Sequence, residues 1–134
     1  MDEILNVGFF VFHTLWIAFT CLGWMWRLAR PWQLATVCLT ALSWFGLGIL
    51  YGWGYCPCTD WHWQVRTRLG HQDPSSYIQL FIWELAGIEL SSTWADGLAL
   101  CTLVVVAILS VVLNLRDRRE MQAGARAAQS DSKT

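Results

Sequence analysis

Long apolar runs alternate with short polar ones along this chain. Residues 7–26 form an uncharged run broken only by His13. Residues 32–53 form a second one and residues 94–115 a third. Each is about the 20 residues that an α-helix needs to cross a hydrocarbon core of about 30 Å. Tryptophan and arginine mark the run ends: Trp24, Trp26, Arg27 and Arg30, then Trp32 and Trp53, then Trp94 and Arg116. Amphipathic rings and cations favour the membrane–water interface, so the pattern predicts three membrane-spanning helices.

Two shorter segments separate the second and third runs. Pro57 and Thr59 are start signals for a helix over about 60–69, and Gly70 stops it. Its positions predict an amphipathic helix in the interface plane, with Trp61, Val65, Arg68 and Leu69 on one face and His62 and Arg66 on another. Residues 77–90 also carry a helical pattern, but 14 residues reach only about 21 Å. Glu84 near the centre and Glu89 near the end make a full crossing costly, about 2.5–3.5 kcal/mol for a midplane carboxylate. A half-inserted or interfacial helix is expected there. For the third run, Thr93 is the expected N-cap and Asp96 suits the positive helix end. Residues 1–119 form one membrane domain, and 120–134 a flexible or frayed helical extension.

The acidic start Met1-Asp2-Glu3 and the lack of small residues after the first run argue for a retained helix rather than a signal peptide. Seven of the nine Lys and Arg residues fall in the 27–30 turn and the C-terminal tail under a three-span layout. A four-span layout gives the same seven against two. Both put the C-terminus in the cytoplasm. Three spans place the N-terminus and the 54–63 block outside.

Composition narrows the class. Among 134 residues, 55% are apolar, 14% are charged and ten are tryptophan. The net charge of −1, with no basic face, gives no basis for nucleic-acid binding. The expected partners are the lipid bilayer and another protein or a second copy through helix packing. Gly48 and Gly52, four apart, suggest a close helix-packing face. The five cysteines are scattered and odd in number, so they do not form a disulfide framework.

Candidate chemistry concentrates in Gly54-Tyr-Cys-Pro-Cys-Thr-Asp-Trp-His-Trp63. Cys56 and Cys58 are soft ligands two apart, and His62 can complete a metal set. Against this stands a turn fixed by Pro57 with thiols packed among rings. Asp60, His62 and Arg66 can act in acid–base chemistry or bind a lipid headgroup; the plain alternative is a solvated polar face. His13 sits within the first run, where ionisable side chains are functional candidates, with Glu84 as its candidate partner. A haem between helices usually takes two axial ligands, and no second histidine falls within a span. The sequence names no cofactor.

The stretch 54–66, followed by Pro74-Ser-Ser-Tyr-Ile78, resembles a bacterial family of small polytopic membrane proteins catalogued as a domain of unknown function. The resemblance takes in His13, Gly23-Trp24 and Trp44 to Gly54, and covers roughly residues 9 to 118. The family's hallmark is Cys-Pro-Leu-Thr. Cys56, Pro57 and Thr59 match it, whereas Cys58 stands where that pattern has leucine, which weakens a dithiol role. The resemblance implies a multi-pass topology in the bacterial cytoplasmic membrane and no activity. No complete catalytic constellation is present, so an enzyme is not expected. The leading expectation is an accessory or scaffold subunit of a larger membrane complex. The alternatives are a redox, metal or haem protein, and an oligomeric transporter or lipid-headgroup binder.

Overall fold

The computed structural model describes residues 1–131, which are predominantly helical and contain no strand. The first helix, α1, runs Asp2–Leu22. It begins five residues before the apolar run because Asp2 and Glu3 sit in its first turn, against the positive end of the helix dipole. A 3-10 turn, Gly23–Met25, closes it. The second helix, α2, runs Arg30–Tyr51. Pro31 lies in its first turn, where a missing N–H costs nothing.

Within α2, residues Leu42–Leu47 adopt a wider π-helical turn. The helix ends at Gly52, whose φ of +107° turns the chain out of helical geometry. The expected packing face through Gly48 and Gly52 is therefore corrected: Gly52 is not on a helix. A Cβ on Gly48 would meet the chain's own Trp53 and Gly54 backbone at 3.8 Å.

The third helix, α3, runs Pro57–Arg68, and the fourth, α4, runs Tyr77–Ala86. A capping box at Ser76 and Gln79 starts α4, and Gly87, in the left-handed conformation, stops it four residues short of the expected end. The last helix, α5, runs Ser92–Asp131. It starts before Thr93, which is therefore not its cap. It also carries the expected flexible tail as helix up to Asp131. Met121-Gln-Ala-Gly-Ala-Arg-Ala-Ala are strong helix formers apart from Gly124, and no proline interrupts them. Residues 132–134 of that tail lie outside the described residues.

Three helices, α1, α2 and α5, are long and apolar enough to cross a membrane. Their mutual packing is polar as well as apolar. A Cβ on Gly23 would come within 2.9 Å of Gln33, so glycine is what lets α2 cross so close. Fully buried Gln33 donates from Nε2 to the Thr20 carbonyl at 2.9 Å. Thr20 bonds Thr36, and the Trp16 indole donates to Thr40, each at 3.2 Å. On the other side of α2, Val37 packs with Leu103 and Val106 of α5. Two turns on, Asn114 donates to the Arg30 carbonyl at 3.2 Å and to the Ser110 carbonyl at 2.8 Å.

Candidate functional site

The register of α3 against α1 builds the site. Thr59 lies beside His13, His62 beside Asn6, and Arg68 beside Asp2. As residue numbers rise along α3 they fall along α1, so the two helices are antiparallel neighbours. The start of α3 sits level with His13, about 16 Å along α1 from Asp2 at helical rise. Ser43 in the π-helical turn donates to the Tyr55 carbonyl at 2.7 Å, which holds the descending chain at that level. The expected helix in the interface plane is thus corrected: α3 lies along α1.

That placement redraws the expected faces: Val65 is buried together with His62 and Arg66. Trp61 is more than half exposed, whereas His62 is fully buried and Arg66 nearly so. The polar pair faces inward. The reason is partner supply. His62 Nε2 donates to Asn6 Oδ1 at 2.8 Å, and its ring stacks on Phe9 at 5.8 Å. Arg66 Nε donates to Asp73 Oδ1 at 2.7 Å, with the guanidinium over the Trp63 ring at 5.9 Å. Asp60, six residues before Arg66, does not pair with it. It accepts from Gln64 at 3.1 Å and lies 3.5 Å from the Tyr55 hydroxyl.

Tyr77, at the start of α4, closes the cluster. Its ring stacks on His13 at 3.9 Å, nearly parallel, and lies 6.5 Å from that of Trp63. Its hydroxyl donates to the Phe10 carbonyl at 2.9 Å and so accepts from Thr14 Oγ1 at 3.1 Å. Tyr77 therefore occupies the place beside His13 that the sequence offered to Glu84. Glu84 is exposed, two turns further along α4. Thr59 Oγ1 stands 3.5 Å from His13 Nδ1.

The electrostatics favour neutral groups. Burial and the Arg66 cation hold the His62 imidazole below its ordinary range. With the proton on Nε2, its Nδ1 is a buried acceptor with no donor among the described residues. Burial and the neighbouring Cys56 push the Cys58 thiol up to about 11. Thiolate, the form that attacks and ligates, is therefore scarce at neutral pH. Cys56 and Cys58 are unbridged. No three His, Cys, Asp or Glu side chains gather as a metal-binding group among the described residues. Cys56, Cys58 and His62 are not brought together as the ligand set that their spacing suggested; His62 is turned to Asn6.

Sequence reasoning missed Asn6, Asp73 and the central place of Tyr77. It also missed Gln33, Ser110 and Asn114, which are buried polar residues on the long helices. One signal was available for the last three: an isolated amide or hydroxyl inside an apolar run has to find a partner in the protein. The candidates were drawn instead from ionisable side chains.

Shallow open grooves lie elsewhere, on the outer surfaces of α1 and α5. Neither touches His13, His62 or Tyr77. The cluster is a packed joint between α1, α3 and α4.

The model of one family, described as Protein of Unknown function (DUF2784), matches residues 3–115. The chain belongs to that family, and the match takes in α1 to α4 and the apolar part of α5. No curated protein and no solved structure matches.

Proposed function

We propose that this member of a family of unknown function is a three-span protein of the bacterial cytoplasmic membrane, serving as an accessory or scaffold subunit of a larger membrane complex. One observation carries this reading. Apart from His62 Nδ1, the polar side chains of the cluster are bonded within the protein, while the outer faces of the long helices are apolar and uncovered. Ile4, Val7 and Leu15 on α1, Leu42 and Ile49 on α2, and Val105 and Ile108 on α5 are all more than half exposed. Exposed apolar surface on this scale calls for lipid or another protein. A protein that handled substrate at this cluster would open its polar groups to a cavity, and neither groove reaches His13, His62 or Tyr77.

The arginines set the orientation. Arg27, Arg30, Arg116, Arg118 and Arg119 gather where α1 meets α2 and where the apolar part of α5 ends. The positive-inside rule puts that end, and the helical tail, in the cytoplasm. The α3–α4 cap then faces outward.

Crosslinking in the native membrane, followed by purification in a mild detergent, tests the role. The expected result is a discrete larger species containing a second polypeptide. An isolated monomer with no crosslinked partner would overturn it. A reporter fused after Thr134 checks the orientation and is expected to be active only on the cytoplasmic side.

A further inference from the structure

The groove on α5 has a composition unlike the rest of the molecule. Val112, Leu115, Arg116, Arg119 and Glu120 line it. They recur at helical spacing, so they form one face of α5. Going toward the C-terminus, that face changes from apolar to cationic within two turns. It does so at the level where the apolar part of α5 gives way to its polar extension.

The acidic groups nearby are already committed. Glu120 accepts from Arg116 Nε at 2.9 Å on one oxygen and from Arg27 Nη2 at 2.8 Å on the other. Asp117 accepts from Arg30 on both oxygens, at 2.9 and 3.0 Å, and lies 3.2 Å from Arg27. Arg119 has no ion pair among the described residues and is exposed. Arg116 is bonded through Nε alone, and its side chain is 72% exposed. The face therefore offers guanidinium donors directly beside an apolar floor. A planar guanidinium fork matches the oxygens of a phosphate diester.

We infer that this face of α5 is a binding site for an anionic phospholipid of the surrounding leaflet. An acyl chain lies along Val112 and Leu115, and the headgroup phosphate is held by Arg116 and Arg119. The order of chemistry along the helix is that of a lipid entering from its tail: chain first, phosphate second. Charge complementarity selects an acidic headgroup. Choline lipids bring their own cation and compete poorly for the same arginines. Glu120 does not repel the phosphate strongly, because two arginines already neutralise it.

The inference rests on the membrane reading above, and the experiment separates the two. The full chain in maltoside micelles is titrated with phosphatidylglycerol or phosphatidylcholine, and bound lipid is counted by native mass spectrometry. Phosphatidylglycerol is expected to bind more tightly, and inorganic phosphate at millimolar concentration is expected not to displace it. Each arginine near a lipid surface contributes on the order of 5-fold in affinity. Arg119→Gln should therefore lower phosphatidylglycerol binding about 5-fold and leave phosphatidylcholine unchanged. The Arg116→Gln, Arg119→Gln double variant should bring the two lipids level. Arg119 is exposed and in no ion pair among the described residues, so its single variant tests the site even if the double variant fails to fold. Equal binding of both lipids by the wild-type protein would overturn the inference. So would an Arg119→Gln variant that binds like wild type, or displacement by inorganic phosphate. A chain that stays in solution without detergent would instead overturn the membrane reading.

Discussion

At the end of the bundle where α1 begins, most polar side chains are neutral, buried and bonded to one another. Asn6, His62, His13, Thr59 and Tyr77 form that joint; Arg66 with Asp73 is its buried charged pair, and Arg68 with Asp2 a more exposed one at its rim. At the opposite end the polar groups are charged: Arg27, Arg116 and Glu120 are exposed, and only the Arg30–Asp117 pair is mostly covered. Both ends tie distant segments together. They differ in what water does to them. Buried neutral contacts gain from ring packing and lose heavily when a partner is removed. Exposed ion pairs are screened, and their partners resolvate freely. Stability should therefore reside at the α1–α3–α4 joint, and sensitivity to salt at the arginine end.

The largest break should come from Tyr77→Ala. It removes a buried ring stacked on His13 and the bond to the Phe10 carbonyl. A loss of about 3–5 kcal/mol is expected, as for other buried aromatic-to-alanine changes. Tyr77→Phe keeps the ring and should lose only about 1–2 kcal/mol. Denaturant unfolding in detergent measures both, and protease cleavage within residues 52–91 reports whether the cap has come loose. Equal losses for the two variants would mean that the hydroxyl, not the ring, holds α4 to α1.

Next in size is Asp73→Asn, which leaves the nearly buried Arg66 with a neutral partner. Breaking one side of a well-buried pair costs about 3–5 kcal/mol, and this one touches solvent at its edge, so about 2 kcal/mol is expected. Exchange of both residues, as Arg66→Met with Asp73→Asn, should recover part of the loss in a double-mutant cycle.

Acid should weaken the same joint. His62 is held below its ordinary range by burial and by Arg66. A histidine depressed in the folded state contributes stability that is fully present above the unfolded value of about 6.5 and lost as pH falls below it. From the α1 side the ring meets Asn6 and Phe9; from α3, Trp63 and Arg66; and from α4, Tyr77. Asp73 offsets part of the Arg66 effect from the following loop. Protonated Nδ1 would be a buried N–H without an acceptor. Stability should therefore fall as pH drops below about 6.5 and level off once the folded-state histidine is also protonated. His62→Gln keeps a donor for Asn6 and should flatten the acid limb. An unchanged limb in that variant would assign the loss to another group.

The same contrast explains how much the sequence disclosed. The long apolar runs were legible because length and hydropathy together leave few alternatives to a spanning helix. The existence of α3 was legible from Pro57, but the helix starts at that proline, whose ring favours the first turn, rather than at the expected position 60. The inner face of α3 was not. Amphipathic reasoning assigns polar residues to water, and His62 and Arg66 face inward only because Asn6 and Asp73 wait there. Those partners lie 56 residues away and seven residues away, and no local periodicity connects them. Glycine spacing misled for a related reason: Gly48 and Gly52 are four apart, but the π-helical turn and the positive φ of Gly52 take the second one off the helix. The arginine end was legible as charge, and its pairing with Asp117 and Glu120 was not.

The smallest effect belongs to that arginine end, and it is the sharpest test of the contrast. Hydrogen bonds from Arg116 and Arg27 hold the Glu120 carboxyl below the usual carboxylate range. The contacts are short, yet Arg27 and Arg116 are mostly exposed, and each can be hydrated as well as paired. Glu120→Gln should therefore leave the unfolding midpoint where it was at physiological salt. It should also remove a negative charge from the face that presents Arg116 and Arg119, and so tighten phosphatidylglycerol binding rather than loosen it. A clear loss of stability in this variant, persisting in high salt, would show that the exposed network holds the bundle closed and that the two ends are not so different.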